Sequence, residues 1–128
     1  MTREIKFRAW DDINAKMTEP IHIRQTASGA IELWVGIHQS TYRLLVGNLM
    51  QFTGLKDKNG KEIYEGDIVD SWLDGEHKYP WQVGFENGSF IRSCLTGYPE
   101  IRQLANGRGD FEVIGNIYEN PELLEGRK

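Results

Sequence analysis

Apolar and polar residues alternate near the start of this chain. The apolar side chains of residues 5–10 fall at every second position, at Ile5, Phe7 and Ala9. The positions between them carry Lys6, Arg8 and Trp10. A period of two is typical of a strand that buries one face. We therefore predict a strand here, with Lys6, Arg8 and Trp10 on its outer face.

A second alternation covers residues 31–35. It places Trp34 on the face opposite Leu33 and Val35, which predicts another half-buried strand with an outward tryptophan. The pattern weakens from residue 36 to residue 49, where a strand and a helical turn are both compatible with the sequence. That segment stays undecided.

Two turn signals predict β-hairpins. Residues 57–60 read Asp-Lys-Asn-Gly, and Asn87-Gly88 separates the apolar runs 81–85 and 89–92. Asn and Gly tolerate the left-handed backbone that a tight reversal needs. We expect one hairpin around each turn.

The C-terminal part completes the predicted architecture. Residues 96–109 predict a long connection with a short element near 101–104, and residues 111–117 predict a closing strand. Asn120-Pro121-Glu122 is typical of the start of a helical turn. We predict one mostly-β domain, in which an SH3-like or related small barrel covers residues 51–124. Residues 1–50 add N-terminal strands, and a short helical turn lies at the C-terminal end of this range.

Length and cysteine content indicate the number of domains and the cellular environment. A chain of 128 residues is suited to one domain, and Cys94 is its only cysteine, so no intramolecular disulfide can form. This is typical of a reducing, cytoplasmic environment. No apolar run resembles a signal peptide or a membrane span. We expect a cytoplasmic protein with no membrane partner.

The net charge of -4 is unevenly distributed. Residues 1–61 contain nine basic and six acidic residues, whereas residues 62–128 contain six and thirteen. Oppositely charged halves can attract each other within one molecule or between copies, so a homo-oligomer is one expected outcome. An acidic chain argues against broad nucleic-acid binding, which needs clustered Lys and Arg.

Three segments resemble the YopX family of phage and prophage proteins. They are residues 5–11 (IKFRAWD), residues 51–69 with QFTGLKD and GDIV, and residues 113–121 (VIGNIYENP). The three segments match in order along nearly the whole chain. The resemblance implies a small β-rich fold, encoded by a bacteriophage or an integrated prophage and acting inside a bacterial host. It implies no established activity and no catalytic residues.

The residues predict neither a cofactor nor a metal site. None of the three histidines stands at a metal-ligand spacing from another histidine or from Cys94, and no glycine-rich loop has the context of a phosphate-binding turn. We therefore expect a protein that is not an enzyme. One alternative stays open: a metal-dependent hydrolase that uses the acidic strip Asp67, Asp70 and Asp74.

Four tryptophans are many for this length, and outward tryptophans often mark contact surfaces. We predict a non-enzymatic protein-interaction module that binds a second copy of itself or a phage or host protein. Recognition would use a sheet edge or the aromatic face with Trp10 and Trp34. The remaining alternative is nucleic-acid binding, in which Lys6 and Arg8 contact phosphates while Trp10 stacks on a base.

Overall fold

The computed structural model describes residues 4–37, 40–72, 77–95, 100–107 and 110–125. It is mostly β, and its antiparallel sheets include a half-barrel. The mostly-β fold predicted from the sequence is confirmed. Contacts within the chain define an N-terminal unit, Glu4–Gln51, and a C-terminal unit that begins at Phe52. No helix of the described residues has the length and apolar character needed to cross a membrane.

The N-terminal unit is built from short antiparallel strands. These are β1 (Phe7–Asp11), β2 (Lys16–Thr18), β3 (His22–Gln25), β4 (Ile31–Ile37), β5 (Ser40–Leu44) and the first residues of β6 (Leu49–Lys56). A 3-10 turn, Val46–Asn48, precedes β6. Strand β1 pairs with β2 and with the start of β6, while β4 pairs with β3 and β5. The undecided segment therefore contains both a strand and a helical turn.

The core of the N-terminal unit follows the predicted alternation. Ala9 from β1, Leu33 and Val35 from β4, and Leu44 from β5 form one buried cluster. Ile5 departs from the prediction, because β1 starts at Phe7 and the side chain of Ile5 is 58% exposed. The described pairing of β1 with β6 begins at Phe7 and Gln51, so the sheet does not extend to Ile5.

A buried aspartate closes the β1–β2 turn. The Asp11 carboxylate accepts hydrogen bonds from the backbone N–H groups of Ile13 (3.0 Å) and Asn14 (3.1 Å), from Asn14 Nδ2 and from the Tyr42 hydroxyl. Burial by itself raises the pKa of Asp11, but these hydrogen bonds outweigh it and hold the pKa below 3.8. One side chain therefore joins the turn to β5.

The C-terminal unit contains the rest of β6 and the later elements. These are β7 (Glu62–Tyr64), β8 (Asp67–Trp72), β9 (Lys78–Glu86), β10 (Ser89–Cys94), β11 (Ile101–Gln103), a 3-10 turn (Leu104–Gly107), β12 (Glu112–Asn116) and α1 (Glu122–Glu125). One sheet has the order β11-β10-β9-β8-β12, and β6 pairs with β7. Both predicted hairpin turns, the C-terminal helical turn and the short element near 101–104 are confirmed. Asn87 and Gly88 have positive φ angles, 51° and 83°.

The core of the C-terminal unit lies between these strands. Its buried residues are Ile63, Val69, Trp81, Val83, Leu104 and Phe111. Strand β12 bulges between Val113 and Gly115. Asn120 packs against Gly115, where a Cβ would lie only 2.6 Å from Asn120 Oδ1. That oxygen accepts the N–H of Asn116 (3.1 Å), so the Asn120 side chain stabilises the bulge.

Asp57 attaches the β6–β7 turn to the closing strand. Its Oδ1 accepts the N–H groups of Asn59 (2.9 Å) and Lys61 (2.8 Å), while its Oδ2 accepts the N–H of Val113 (3.0 Å). The N–H of Lys58 also donates to the carbonyl of Phe111 (2.8 Å). Burial raises the pKa of Asp57, but the three backbone hydrogen bonds and nearby Lys61 hold it below 3.8.

We expect Asp57→Asn to lower the free energy of unfolding by about 1–3 kcal/mol at neutral pH. An amide offers one acceptor oxygen, whereas the three backbone donors approach both oxygens of the carboxylate. Urea unfolding measures the difference.

The effect of pH gives a second readout for the same variant. Because the folded-state pKa is depressed, the stabilisation by the carboxylate is complete above pH 3.8 and is lost as the pH falls through the folded-state value. The difference in free energy of unfolding between wild type and Asp57→Asn should therefore become smaller as the pH falls. Asp110→Asn, at an exposed position, is the control. Equal stability of wild type and Asp57→Asn at neutral pH would contradict this role.

Candidate functional site

Strand β3 forms an open edge of the three-stranded sheet β3-β4-β5. Within the part of the chain that the structure describes, it pairs only with β4, and all four of its residues are exposed. The N–H of Thr26 donates to the carbonyl of Ala30 (2.8 Å), so the backbone groups of Thr26 point toward β4. In an antiparallel pair, every second residue of a strand directs its N–H and C=O to the partner strand. By this alternation the backbone groups of Ile23 and Gln25 point outward, away from β4.

Exposed apolar side chains lie beside this edge. Ile23 lies directly across from Leu33, and Ile31 is on the same strand face as Leu33. Leu33 is fully buried, whereas Ile23 is 40% and Ile31 is 43% exposed. The apolar face of the sheet therefore continues beyond its core to the open edge. A strand that added to β3 would cover Ile23.

The opposite face of this sheet carries Trp34. Its cross-strand neighbours are His22 on β3 and Arg43 on β5. Glu32, two residues away on the same face, accepts hydrogen bonds from Arg24 Nε (3.1 Å), Arg43 Nη1 (2.9 Å) and Trp34 Nε1 (3.4 Å). The hydrogen bond from Trp34 is the main cause that lowers the pKa of Glu32, burial opposes it, and the two arginines add to the lowering.

The remaining residues predicted for the interaction surface lie on or beside β1. Trp10 is half-buried and pairs with Met17, and Arg8 is half-buried and pairs with Met50. Lys6 precedes the strand and forms an ion pair with Glu4 (3.4 Å).

The structure does not combine the two tryptophans into one face. Ala9 and Leu33 meet in one core, and each tryptophan lies on the opposite face of its own strand. Trp10 and Trp34 therefore point away from that core on different sides, and each belongs to a separate surface.

The acidic strip considered for a hydrolase is not assembled among the described residues. Asp67 is buried, and its Oδ2 accepts the N–H of Tyr64 (2.7 Å), which fixes the turn before β8. Asp70 stands three positions along the strand and so faces the other side. Asp74 lies outside the described residues. In the described parts of the chain, no three His, Cys, Asp or Glu side chains are grouped so that they could hold a metal ion.

A buried arginine in the C-terminal unit was missed by the sequence interpretation. Arg92 is 4% exposed, and its guanidinium carbon lies 5.1 Å from the Trp81 ring centroid and 5.2 Å from that of Phe111. The period of two along β10 was the available signal, because it puts Arg92 on the same face as Phe90 and Cys94.

Comparison with known proteins fits this architecture. A family model described as YopX protein matches residues 6–125. The chain belongs to the YopX family. The resemblance seen in the three sequence segments is thus confirmed. No curated protein matched the chain.

Two solved structures share the fold of this YopX-family chain. Protein EF1440 from Enterococcus faecalis has a TM-score of 0.62 and 30% sequence identity, over 96% of this chain and 99% of that chain. Protein YopX from Bacillus subtilis has a TM-score of 0.64 and 26% identity, over 99% of this chain and 100% of that chain.

The family-like segments 51–69 and 113–121 contact each other. The Asp57 carboxylate accepts the N–H of Val113, and the carbonyl of Gly66 accepts the N–H of Ile117 (2.9 Å). Strands β8 and β12 also pair directly. These matching segments therefore form much of the backbone framework of the C-terminal unit.

We expect the fluorescence of Trp34 to report the protonation of Glu32. Since the pKa of Glu32 is depressed, acid titration of tryptophan emission should show a transition with its midpoint below 4.5. Protonation removes the charge that holds Arg24 and Arg43 at Glu32, which also accepts the hydrogen bond of the indole. Glu32→Gln and Trp34→Phe should each abolish the transition, whereas Glu19→Gln should preserve it. Persistence of the transition in Glu32→Gln would contradict the geometry.

Proposed function

We propose that this YopX-family chain is a non-enzymatic protein-interaction module that recognises its partner through the open edge of β3. The observation that carries the proposal is the edge itself, with four exposed residues and the outward backbone groups of Ile23 and Gln25. Such groups pair readily with an extended segment of another chain, and adjacent apolar side chains add affinity. Ile23 and Ile31 provide that apolar surface.

A second copy of the chain is the partner that we propose first. A two-fold axis at Ile23 would place Ile23 opposite the partner's Ile23 and Arg24 opposite the partner's His22, so the two Arg24 side chains would not face each other. Residues 4–51 contain five basic and five acidic side chains. Two copies therefore meet without net repulsion between these segments. A phage or host protein with an extended apolar segment would use the same edge.

Nucleic-acid binding has weaker support than protein binding. Arg24 and Arg43, which lie on the same sheet face as Trp34, both form ion pairs with Glu32, and Lys6 forms an ion pair with Glu4. Phosphate contacts would have to compete with these carboxylates. For this reason we propose a protein partner in preference to a nucleic acid.

The biological setting is proposed from the family resemblance. We propose that the chain is encoded by a phage or prophage and acts in the cytoplasm of a bacterial host. The two solved relatives come from bacteria, Enterococcus faecalis and Bacillus subtilis. The genes beside the coding region test this: phage replication, packaging or lysis genes are expected there, and a neighbourhood of ordinary chromosomal genes would contradict it.

The edge proposal is tested by a proline that removes one outward N–H. We expect Gln25→Pro to weaken self-association by at least about tenfold, because the ring eliminates a donor and obstructs an added strand. Gln25→Ala loses the same side chain and retains the N–H, so it should associate like the wild type. Sedimentation velocity over a range of protein concentrations measures both.

Thermal unfolding and circular dichroism should show that both variants remain folded, since the lost N–H does not bond to β4. Pull-down from a bacterial extract with the same two variants tests a different protein partner. A wild-type chain that stays monomeric and captures the same proteins as Gln25→Pro would overturn the proposal. Association of Gln25→Pro equal to that of Gln25→Ala would do the same.

A further inference from the structure

Arg92 is a charged side chain on the apolar face of the C-terminal sheet. Strand pairing places it opposite Val83 on β9 and opposite Arg102 on β11. Val83 and Trp81 on this face belong to the core cluster, and Arg92 is only 4% exposed. Arginine is almost never buried so deeply without an acidic partner. Among the described residues, no carboxylate forms an ion pair with Arg92.

The contacts that stabilise Arg92 leave one buried donor of its guanidinium without an acceptor. Nη1 donates to the carbonyls of Gln103 (2.7 Å) and Leu104 (3.4 Å). Nε is buried and has no hydrogen-bond partner. The Nε and Nη2 donors point in the same direction, and this fork matches two oxygens of a carboxylate or phosphate.

A second guanidinium lies beside the same Trp81 ring. Arg102 is the direct cross-strand neighbour of Arg92, and its guanidinium carbon is 5.6 Å from the Trp81 ring centroid. Like charges directly opposite each other in a sheet are destabilising. Burial lowers the pKa of Arg92, and the charge of Arg102 lowers it further. Arg102 Nε donates to a carboxylate oxygen of Glu100 at 3.2 Å.

We propose that Arg92 and Arg102 form a binding site for a phosphate group beside the Trp81 ring. A phosphate carries up to two negative charges and several acceptor oxygens, so it can accept from both guanidinium groups at once, whereas a carboxylate has one charge. The ligand is inorganic phosphate or a small phosphate ester. Its binding would provide an acceptor for the buried Nε donor, which lacks one. The site is independent of the β3 edge.

Phosphate titration of the intact chain tests the site. The total ionic strength is held constant with chloride, and the readouts are thermal unfolding and the NMR signal of the Arg92 Nε–H group. We expect phosphate to raise the unfolding temperature more than chloride does, because it binds the folded state. We also expect it to shift the Arg92 signal. Acetate at the same ionic strength should have a clearly smaller effect.

Two substitutions and a matched control assign the effect. Arg102→Gln removes one donor group at a partly exposed position, so it should fold and should bind phosphate at least about tenfold more weakly. Arg92→Lys should remove the phosphate response, since an ammonium group lacks the planar fork. Arg24→Gln, which also removes an exposed strand arginine paired with a glutamate, should bind like the wild type.

Parallel titration with adenosine monophosphate distinguishes the two sources of the phosphate group: tighter binding of the nucleotide indicates an ester, and tighter binding of inorganic phosphate indicates the free ion. The proposal is overturned if phosphate acts no differently from chloride or acetate. It is also overturned if Arg102→Gln and Arg24→Gln respond alike. The Arg92 signal in the wild type decides the matter even if Arg92→Lys fails to fold.

Discussion

The carboxylate of Asp57 provides the constraint on which the C-terminal unit depends. It holds its own turn through Asn59 and Lys61 and, in addition, accepts the N–H of Val113 from a strand far along the chain. A hairpin on its own is marginally stable, so its position must be fixed by contacts with the rest of the sheet. Here one buried side chain supplies local turn geometry and long-range attachment together. The pairing of β8 with β12 and the contact from Ile117 to Gly66 extend the same framework.

The N-terminal unit uses a related device with a different consequence. Asp11 joins the β1–β2 turn to Tyr42 on β5, and the Ala9, Leu33, Val35 and Leu44 cluster packs beneath. This buried core does not extend to the β3 edge of its sheet. Ile23 and Ile31 stay largely exposed next to backbone groups that have no partner strand among the described residues. Natural sheets usually protect such edges with charge, proline or a covering segment. An edge left open beside apolar residues is therefore the part of this unit most suited to recognition.

The C-terminal unit has a different unusual feature, in its interior. A core made of Trp81, Val83 and Phe111 also contains the guanidinium group of Arg92. Two aromatic rings and two carbonyls stabilise the charge, but they contact only part of the donor set. The proposed interaction edge and the proposed anion site thus belong to different units and rest on different chemistry. One consists of exposed backbone, and the other of buried charge.

The sequence by itself determined the elements with strong local signals. Alternation identified β1 and β4, Asp-Lys-Asn-Gly and Asn-Gly located two turns, and Asn120-Pro121 located the helical turn. The three family-like segments identified the family. These features depend on neighbouring residues, whose spacing is fixed by the backbone itself.

Only the tertiary structure decided which strand edge stays open, which face of β10 is covered, and that Trp10 and Trp34 lie on separate surfaces. It also decided that Asp67 fixes a turn, and that the Asn120 side chain supports a bulge at Gly115. The physical reason is that a period of two tells which side chains share a face. Whether that face or edge is buried depends on pairing between segments that are distant in the chain.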